Sequence, residues 1–258
     1  MSSTIITGAT SGIGRALALE LAHRGWDLGL TARRADVLRE LAEEIARRHP
    51  GRRVIVTPVD VTDVAATRTA VHDLFAALGN VELVVANAGI GGPHRVGDGD
   101  FERSRAIIAT NLIGAMATVD AAVECWRAQP GSGPRRIVGI TSVAGFRGLP
   151  GSSAYSASKA GFSVYLEAAR GEVRGLGIDI VDIAPGFIDT PLNQDVPTRP
   201  FLIDVTDGAR RIADLIERGV MRSTVPVWPW NAIGWLMRSL PDAVWARVGA
   251  RAAHRSRG

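Results

Sequence analysis

The segment AYSASKAG, residues 154–161, sets a phenol four residues ahead of an ammonium: Tyr155 and Lys159. The chain has two tyrosines, and Lys159 is the single lysine among 30 Lys and Arg residues. On a helix an i, i+4 pair shares one face. A phenol with a pKa of about 10 is a poor base at neutral pH. An ammonium a few ångströms away favours the phenolate and makes the pair competent for proton transfer. Arginine could bring the same charge, but its broad planar fork cannot replace a compact ammonium on a flexible stem. The pair reads as an acid/base centre rather than two surface residues.

A second group of residues suits anion binding. In TGATSGIGRALALELA, Gly8, Gly12 and Gly14 bracket Thr10, Ser11 and Ile13 at the junction of a predicted strand and a predicted helix. Glycine permits positive φ in such a turn, and missing Cβ atoms let a pyrophosphate approach the backbone. The amides and positive dipole end of the following helix then face the anion. The end of the second predicted strand reads LTARRAD. A carboxylate there would accept hydrogen bonds from ribose hydroxyls; this chain has Ala32, then Arg33 and Arg34, which suit a 2′-phosphate. NADP(H) is therefore expected over NAD(H), with Arg33 as the principal phosphate partner.

The elements that must position these groups follow from hydrophobic pattern. Apolar, β-branched runs at 4–7, 27–32, 53–59, 81–88, 135–142, 177–185 and 223–227 alternate with amphipathic helical patterns at 13–24, 35–49, 64–78, 101–128, 153–174 and 207–218. That rhythm predicts parallel βαβ units, and strands apolar on both faces predict helices on both sides of the sheet. The expected fold class is α/β, a doubly wound parallel sheet of Rossmann-like form, with a single catalytic domain over residues 1–227. Residues 228–258 form a short Trp-rich helical extension, not an independent domain. The segment VPVWPWNAIGWLMRSLPDAVWARV (225–248) holds Trp228, Trp230, Trp235 and Trp245, and predicts a turn followed by two short helices split at Pro241.

Composition narrows the function classes. The 258 residues are 46% hydrophobic and 22% charged, as in a soluble globular protein with one large core. Cys125 is alone, so no internal disulfide forms, and His23, His49, His72, His94 and His254 are scattered without ligand spacing, so no metal site is expected. The net charge of +4 is modest, with arginines dispersed beside acids as in RELAEEIARR, so no nucleic-acid partner is expected. The first residues lack a basic, apolar leader, and no uncharged run reaches about 18 apolar residues. A cytoplasmic protein is expected.

Motifs in a fixed order now point to a family. TGATSGIG (7–14), DV (60–61), NAG (87–89), Asn111 in ATNLIGA, Ser142 in GITSVAG, YSASK (155–159) and PGFIDT (185–190) succeed one another at plausible intervals. The chain resembles a classical short-chain dehydrogenase/reductase over residues 3 to 227. The resemblance implies that Tyr155 protonates a carbonyl oxygen during reduction, or acts as base in reverse, while Ser142 hydrogen-bonds that oxygen. It implies that Lys159 binds the nicotinamide ribose and lowers the Tyr155 pKa, and that Asn111 holds a water linking Lys159 to a proton relay. Asp60 and Val61 would contact the adenine; Asn87, Ala88 and Gly89 would line the central strand end; Pro185, Gly186, Ile188 and Thr190 would grip the nicotinamide side.

The substrate loop is expected after Thr190, with IGGPHRV (90–96) and VAGFRGLPG (143–151) as further walls. Their apolar side chains, with Phe146, Leu149, Phe187 and Leu192, suit a moderately hydrophobic ketone, aldehyde or alcohol; His94, Arg95 and Arg147 are candidates for a polar group on it. For the tail three readings stand: packing on its own subunit over the substrate pocket, a contact in a homodimer or homotetramer, or a peripheral membrane contact by Trp and Leu with Arg238, Arg247, Arg251, Arg255 and Arg257 nearby. A non-catalytic dinucleotide-sensing protein on the same fold is the alternative function. It would not need Asn111, Ser142, Tyr155 and Lys159 together. An epimerase or dehydratase of the extended relatives would need a larger C-terminal domain than the residues after 227 provide.

Overall fold

The first strand is wholly interior. STIIT forms β1 (Ser3–Thr7), buried at every position. The computed structural model describes residues 2–92, 95–129 and 133–247. His94, Arg251, Arg255, Arg257 and the end of the Trp-rich segment lie outside them. After β1 come α1 (Gly12–His23), β2 (Asp27–Ala32), α2 (Ala35–Arg48), β3 (Val54–Pro58), α3 (Val64–Leu78) and β4 (Val81–Ala86). The second half contains α4 (Phe101–Ile108), α5 (Gly114–Ala128), β5 (Arg135–Ile140), α6 (Ser153–Val173), β6 (Ile178–Pro185), α7 (Val205–Glu217), β7 (Arg222–Val225) and α8 (Val227–Ser239). Every pairing is parallel, in the order β3-β2-β1-β4-β5-β6-β7. The chain reverses direction across the sheet between β1 and β4, which is where doubly wound folds open a crevice at the strands' carboxyl ends.

Alternation along each strand divides the core in two. Ile6, Val85, Val138 and Val181 pack with Leu17, Leu21, Leu38 and Ile212 of α1, α2 and α7. Their neighbours Ile5, Val84, Ile137 and Ile180 pack with Leu74, Phe75, Val119, Phe162 and Leu166 of α3, α5 and α6. Asp63, Asp100 and Asp204 cap α3, α4 and α7 by accepting backbone N–H bonds. The N-cap of α1, Ser11, makes no such bond.

One expectation changes in detail. The helix predicted over 101–128 is interrupted by a π turn at Ala109–Ile113, which contains Asn111. The stretch Phe101–Ala128 is also long and apolar enough, by length and composition, to cross a membrane, with mean hydropathy 1.6; half of that window is buried inside the fold, where α5 packs on α3, α6 and β4. The tail forms α8 and a second helical turn at 242–247, separated at Pro241 as predicted.

Candidate active site

The turn after β1 is closed by side chains at the switch point. Gly8 has φ +70°, and a Cβ there would lie 2.7 Å from the Ala88 Cα. Asn87 donates from Nδ2 to the carbonyls of Thr7 (2.9 Å) and Gly8 (3.3 Å), and its own backbone N–H donates to Thr7 Oγ1 (3.0 Å). A Cβ at Gly14 would overlap Asn87 Nδ2 and the Gly8 carbonyl. Gly12, at φ +53°, sits against Thr190. The glycines thus let β1, β4 and the segment after β6 meet around an uncapped helix N-terminus.

Around that terminus, Arg34 donates from Nη2 to Thr10 Oγ1 (3.1 Å), bracing the glycine loop. Arg33 is 69% exposed, 4.0 Å from Asp60 Oδ2. Asp60 also accepts from the Thr62 N–H and hydroxyl. Three residues expected to touch a cofactor have side chains that point elsewhere. Val61 is buried against Gly114, Ile188 is buried against Gly208, and Ile13 packs on the core beneath α1.

The catalytic candidates converge at the carboxyl ends of β4, β5 and β6. Lys159 is buried and donates from Nζ to the Ile140 carbonyl at 2.8 Å. Its Nζ lies 5.9 Å from the centre of the Tyr155 ring, so the i, i+4 pair does share a face. Ser142, just past β5, holds the Ala144 N–H on its Oγ (3.1 Å) and hydrogen-bonds Tyr155. The backbone at Gly89 passes beside Asn111 Oδ1 and Lys159 Nζ, at 3.4 and 3.5 Å from where a Cβ would stand.

The electrostatics differ from the expectation in one respect. Burial pushes the Tyr155 phenol up, with the Ser142 hydrogen bond drawing it back; Lys159 makes no part of that shift. Burial lowers the Lys159 ammonium to about 8, and the negative charge of Asp182 pulls the other way. Asn111 is fully buried and is committed to protein groups: Oδ1 accepts from the Ile90 N–H (2.8 Å), and Nδ2 donates to the Ile90 carbonyl (2.9 Å) and to Ser158 Oγ (3.1 Å). Ser158 in turn donates to the Tyr155 carbonyl at 2.8 Å. Asn111 therefore ties the loop after β4 to the first turn of α6.

The tail packs on its own subunit beside this site. Trp230 is buried, 6.1 Å from Phe187 and edge-on to Phe201 at 5.9 Å between ring centres. Its indole covers Gly186 so closely that a Cβ there would overlap it, and its N–H has no partner among the described residues. Phe201 holds a left-handed φ of +56°, a conformation that costs about 1 kcal/mol outside glycine. Arg147, read from the sequence as a candidate substrate contact, is spent on the tail instead. It donates to the Met237 and Leu240 carbonyls (3.2 and 3.0 Å), pairs with Asp242 and faces Trp245. Arg238 stacks 3.9 Å over Phe146. Trp228 and Trp235 remain exposed. The sequence reading missed Trp230 as a packing anchor and Asp182 as a buried charge. The latter had a local signal, an acid in the otherwise apolar run IVDIAP.

Comparison with known proteins agrees with this geometry. Residues 2–200 match the family model for short chain dehydrogenase. An uncharacterized oxidoreductase of Mycobacterium tuberculosis is 36% identical over 244 residues, covering 94% of this chain and 95% of that protein. An uncharacterized oxidoreductase of Myxococcus xanthus is 39% identical over 237 residues, covering 89% and 88%. Among solved structures, an alcohol dehydrogenase from Thermococcus sibiricus complexed with 5-hydroxy-NADP superposes with a TM-score of 0.77 at 26% identity, covering 87% of this chain and 94% of that one.

Proposed function

The chain belongs to the short-chain dehydrogenase/reductase family and is an oxidoreductase of it; from that premise we propose that it transfers hydride between NADP(H) and the carbonyl or secondary alcohol of a moderately hydrophobic small molecule. The observation that carries this reading is the meeting of Ser142, Tyr155 and buried Lys159 at the strand ends, beside an uncapped α1.

The residues present fit the dinucleotide. Gly8 and Gly12 adopt positive φ, the first turn of α1 carries no acid and no side-chain cap, and β2 ends at Ala32 with Arg33 exposed. The amides of that turn would hold the pyrophosphate, Arg33 the 2′-phosphate, and Lys159 the nicotinamide ribose. When bound, the reduced nicotinamide supplies the hydride. Ser142 then holds the substrate oxygen and offers a hydrogen bond to the negative charge that develops there. Tyr155 donates its phenolic proton to that oxygen. The phenol, raised further by burial, is in its protonated form at neutral pH, the form that donates in the reductive direction. Asn111 positions Tyr155 through Ser158 rather than touching the reacting atoms. Leu192 stands opposite Gly91, and Phe187, Phe201 and Trp230 supply an apolar wall.

The test is to titrate NADPH and NADH by protein fluorescence quenching and then follow reduced-nicotinamide absorbance against a panel of ketones and aldehydes. Turnover with NADPH is expected. Tighter binding of NADH than of NADPH would overturn the Arg33 assignment, and no turnover with any carbonyl class would overturn the reaction.

A further inference from the structure

Asp182 lies in the middle of β6 on the face that packs against α6, where its neighbour two residues back, Ile180, belongs to the apolar core. It is 2% exposed. Its Oδ1 accepts from Thr141 Oγ1 at 2.6 Å, and its Oδ2 from Ser163 Oγ at 2.5 Å. Both donors belong to the machinery's supports. Thr141 stands between Ile140, whose carbonyl receives Lys159, and Ser142. Ser163 is one helical turn beyond Lys159, on the same face of α6. Gly139, the register partner of Asp182 on β5, has no room for a Cβ beneath Leu166 and Phe162, so α6 lies close on the sheet here.

A buried carboxylate costs several kcal/mol unless it is paired and hydrogen-bonded. Two hydroxyls and Arg222 Nε, at 3.3 Å, meet that need, but Arg222 is 43% exposed and approaches from the outer edge. On the inner side stands Lys159. We propose that Asp182 is a positioning residue for Lys159: its carboxylate ties the strand carrying the lysine's acceptor to the helix turn carrying the lysine, and supplies the negative charge that the buried ammonium faces. The proposal rests on the role given to Lys159 above, and deepens it.

The charges around this pair are few among the described residues. Tyr155, Lys159 and Arg170 come from α6, the last bound to the Ile180 and Met221 carbonyls, Arg222 from β7 and Arg238 from α8; β5 brings only the Ile140 carbonyl and the Thr141 and Ser142 hydroxyls, and the loop after β4 and the π turn bring Asn87, Gly89 and Asn111, which do not titrate. Among the described residues Asp182 is the negative charge that opposes the effect of burial on Lys159.

Because the chain has one lysine, its titration can be read directly. Protein grown with lysine carrying 13C at the ε carbon gives a single lysine signal, whose pH midpoint is that of Lys159. In Asp182→Asn, which keeps the shape and removes the charge, the midpoint should fall from about 8 by about one pH unit or more. The alkaline limb of NADPH-dependent turnover should fall with it. Thr141→Val removes one hydrogen bond and no charge, and should leave the midpoint in place while lowering thermal stability. An Asp182→Asn midpoint within a few tenths of wild type overturns the proposal, as does an equal shift in Thr141→Val. If Asp182→Asn does not fold, Arg222→Gln provides the opposite arm: relieving Asp182 of its outer partner should raise the midpoint, and an unmoved midpoint refutes the charge coupling. A lysine signal that shifts while the turnover limb stays fixed would instead overturn the role of Lys159 in the reaction, not its coupling to Asp182.

Discussion

Replacing Lys159 by Met separates what the lysine does for stability from what it does for the reaction. The ammonium is 4% exposed and titrates at about 8 rather than 10.5. At neutral pH the folded state holds a charged group that burial disfavours, and the difference corresponds to about 3 kcal/mol against folding. Methionine removes that penalty, keeps most of the volume, and loses one hydrogen bond to the Ile140 carbonyl, worth about 1 kcal/mol. Lys159→Met should therefore be at least as stable as wild type at pH 7, by up to about 2 kcal/mol. That advantage shrinks as the pH rises. A lowered lysine pKa means that the folded state releases its proton first, so wild-type stability rises as pH climbs from 8 toward 10.5 while the variant gains nothing. Urea unfolding at pH 7 and at about pH 9.5 reads this directly: the wild type should gain about 2 kcal/mol on the variant over that interval. Turnover should fall by about a hundredfold or more. A variant that is much less stable than wild type at pH 7, or whose stability difference does not change with pH, would refute the burial argument. Turnover within tenfold of wild type would refute the catalytic one.

Tyr155→Phe should keep NADPH binding and the fold but lose turnover by about a hundredfold or more, measured with the best carbonyl of the panel; unchanged rates would remove Tyr155 from the chemistry. Arg33→Ala should weaken NADPH binding by about tenfold or more, the worth of a charge-assisted hydrogen bond, while NADH binding changes little; equal losses for both cofactors would place Arg33 away from the 2′-phosphate. Trp230→Ala should cost about 3–5 kcal/mol in urea unfolding, because it empties a buried site between Phe187, Phe201 and Gly186. Gly186→Ala, which drives a methyl into the same indole, should cost about 1–3 kcal/mol and raise KM more than it lowers kcat; a silent Gly186→Ala would mean that the tail is not held there.

What could be read from the sequence was what local rules encode. The alternation of β-branched runs with 3.6-residue periodicity gave seven strands in their places, since each run answers only to its own burial. The glycine turn was legible because positive φ and close approach leave few residues to choose from, and Tyr155 with Lys159 because one helical turn links them. The rest depends on partners distant in sequence. Nothing near Arg147 says that its guanidinium will be taken up by carbonyls at 237 and 240. Nothing near Trp230 says that its ring will land on Gly186. The Tyr155 phenol was expected to be lowered by its neighbouring lysine; enclosure by the surrounding chain instead raises it, against the Ser142 hydrogen bond, and enclosure is a property of the whole fold.

The π turn at Ala109–Ile113 makes one helix span sensitive to a single residue of length. An α-helix turns by about 100° per residue. The wide turn at Ala109–Ile113 takes up one extra residue, so α4 and α5 stay in phase on either side of it. Deleting one residue between Ile108 and Gly114 would let them run on as one regular helix with little change to either, while Asn111 alone would be drawn off the bulge that presents it. The loop bonds to Ile90 and the strut to Ser158 would break together, although no polar side chain had been changed. The extra residue thus serves to push one side chain out of the helix line: homologous stretches that lack it are expected to brace the first turn of α6 by some other means.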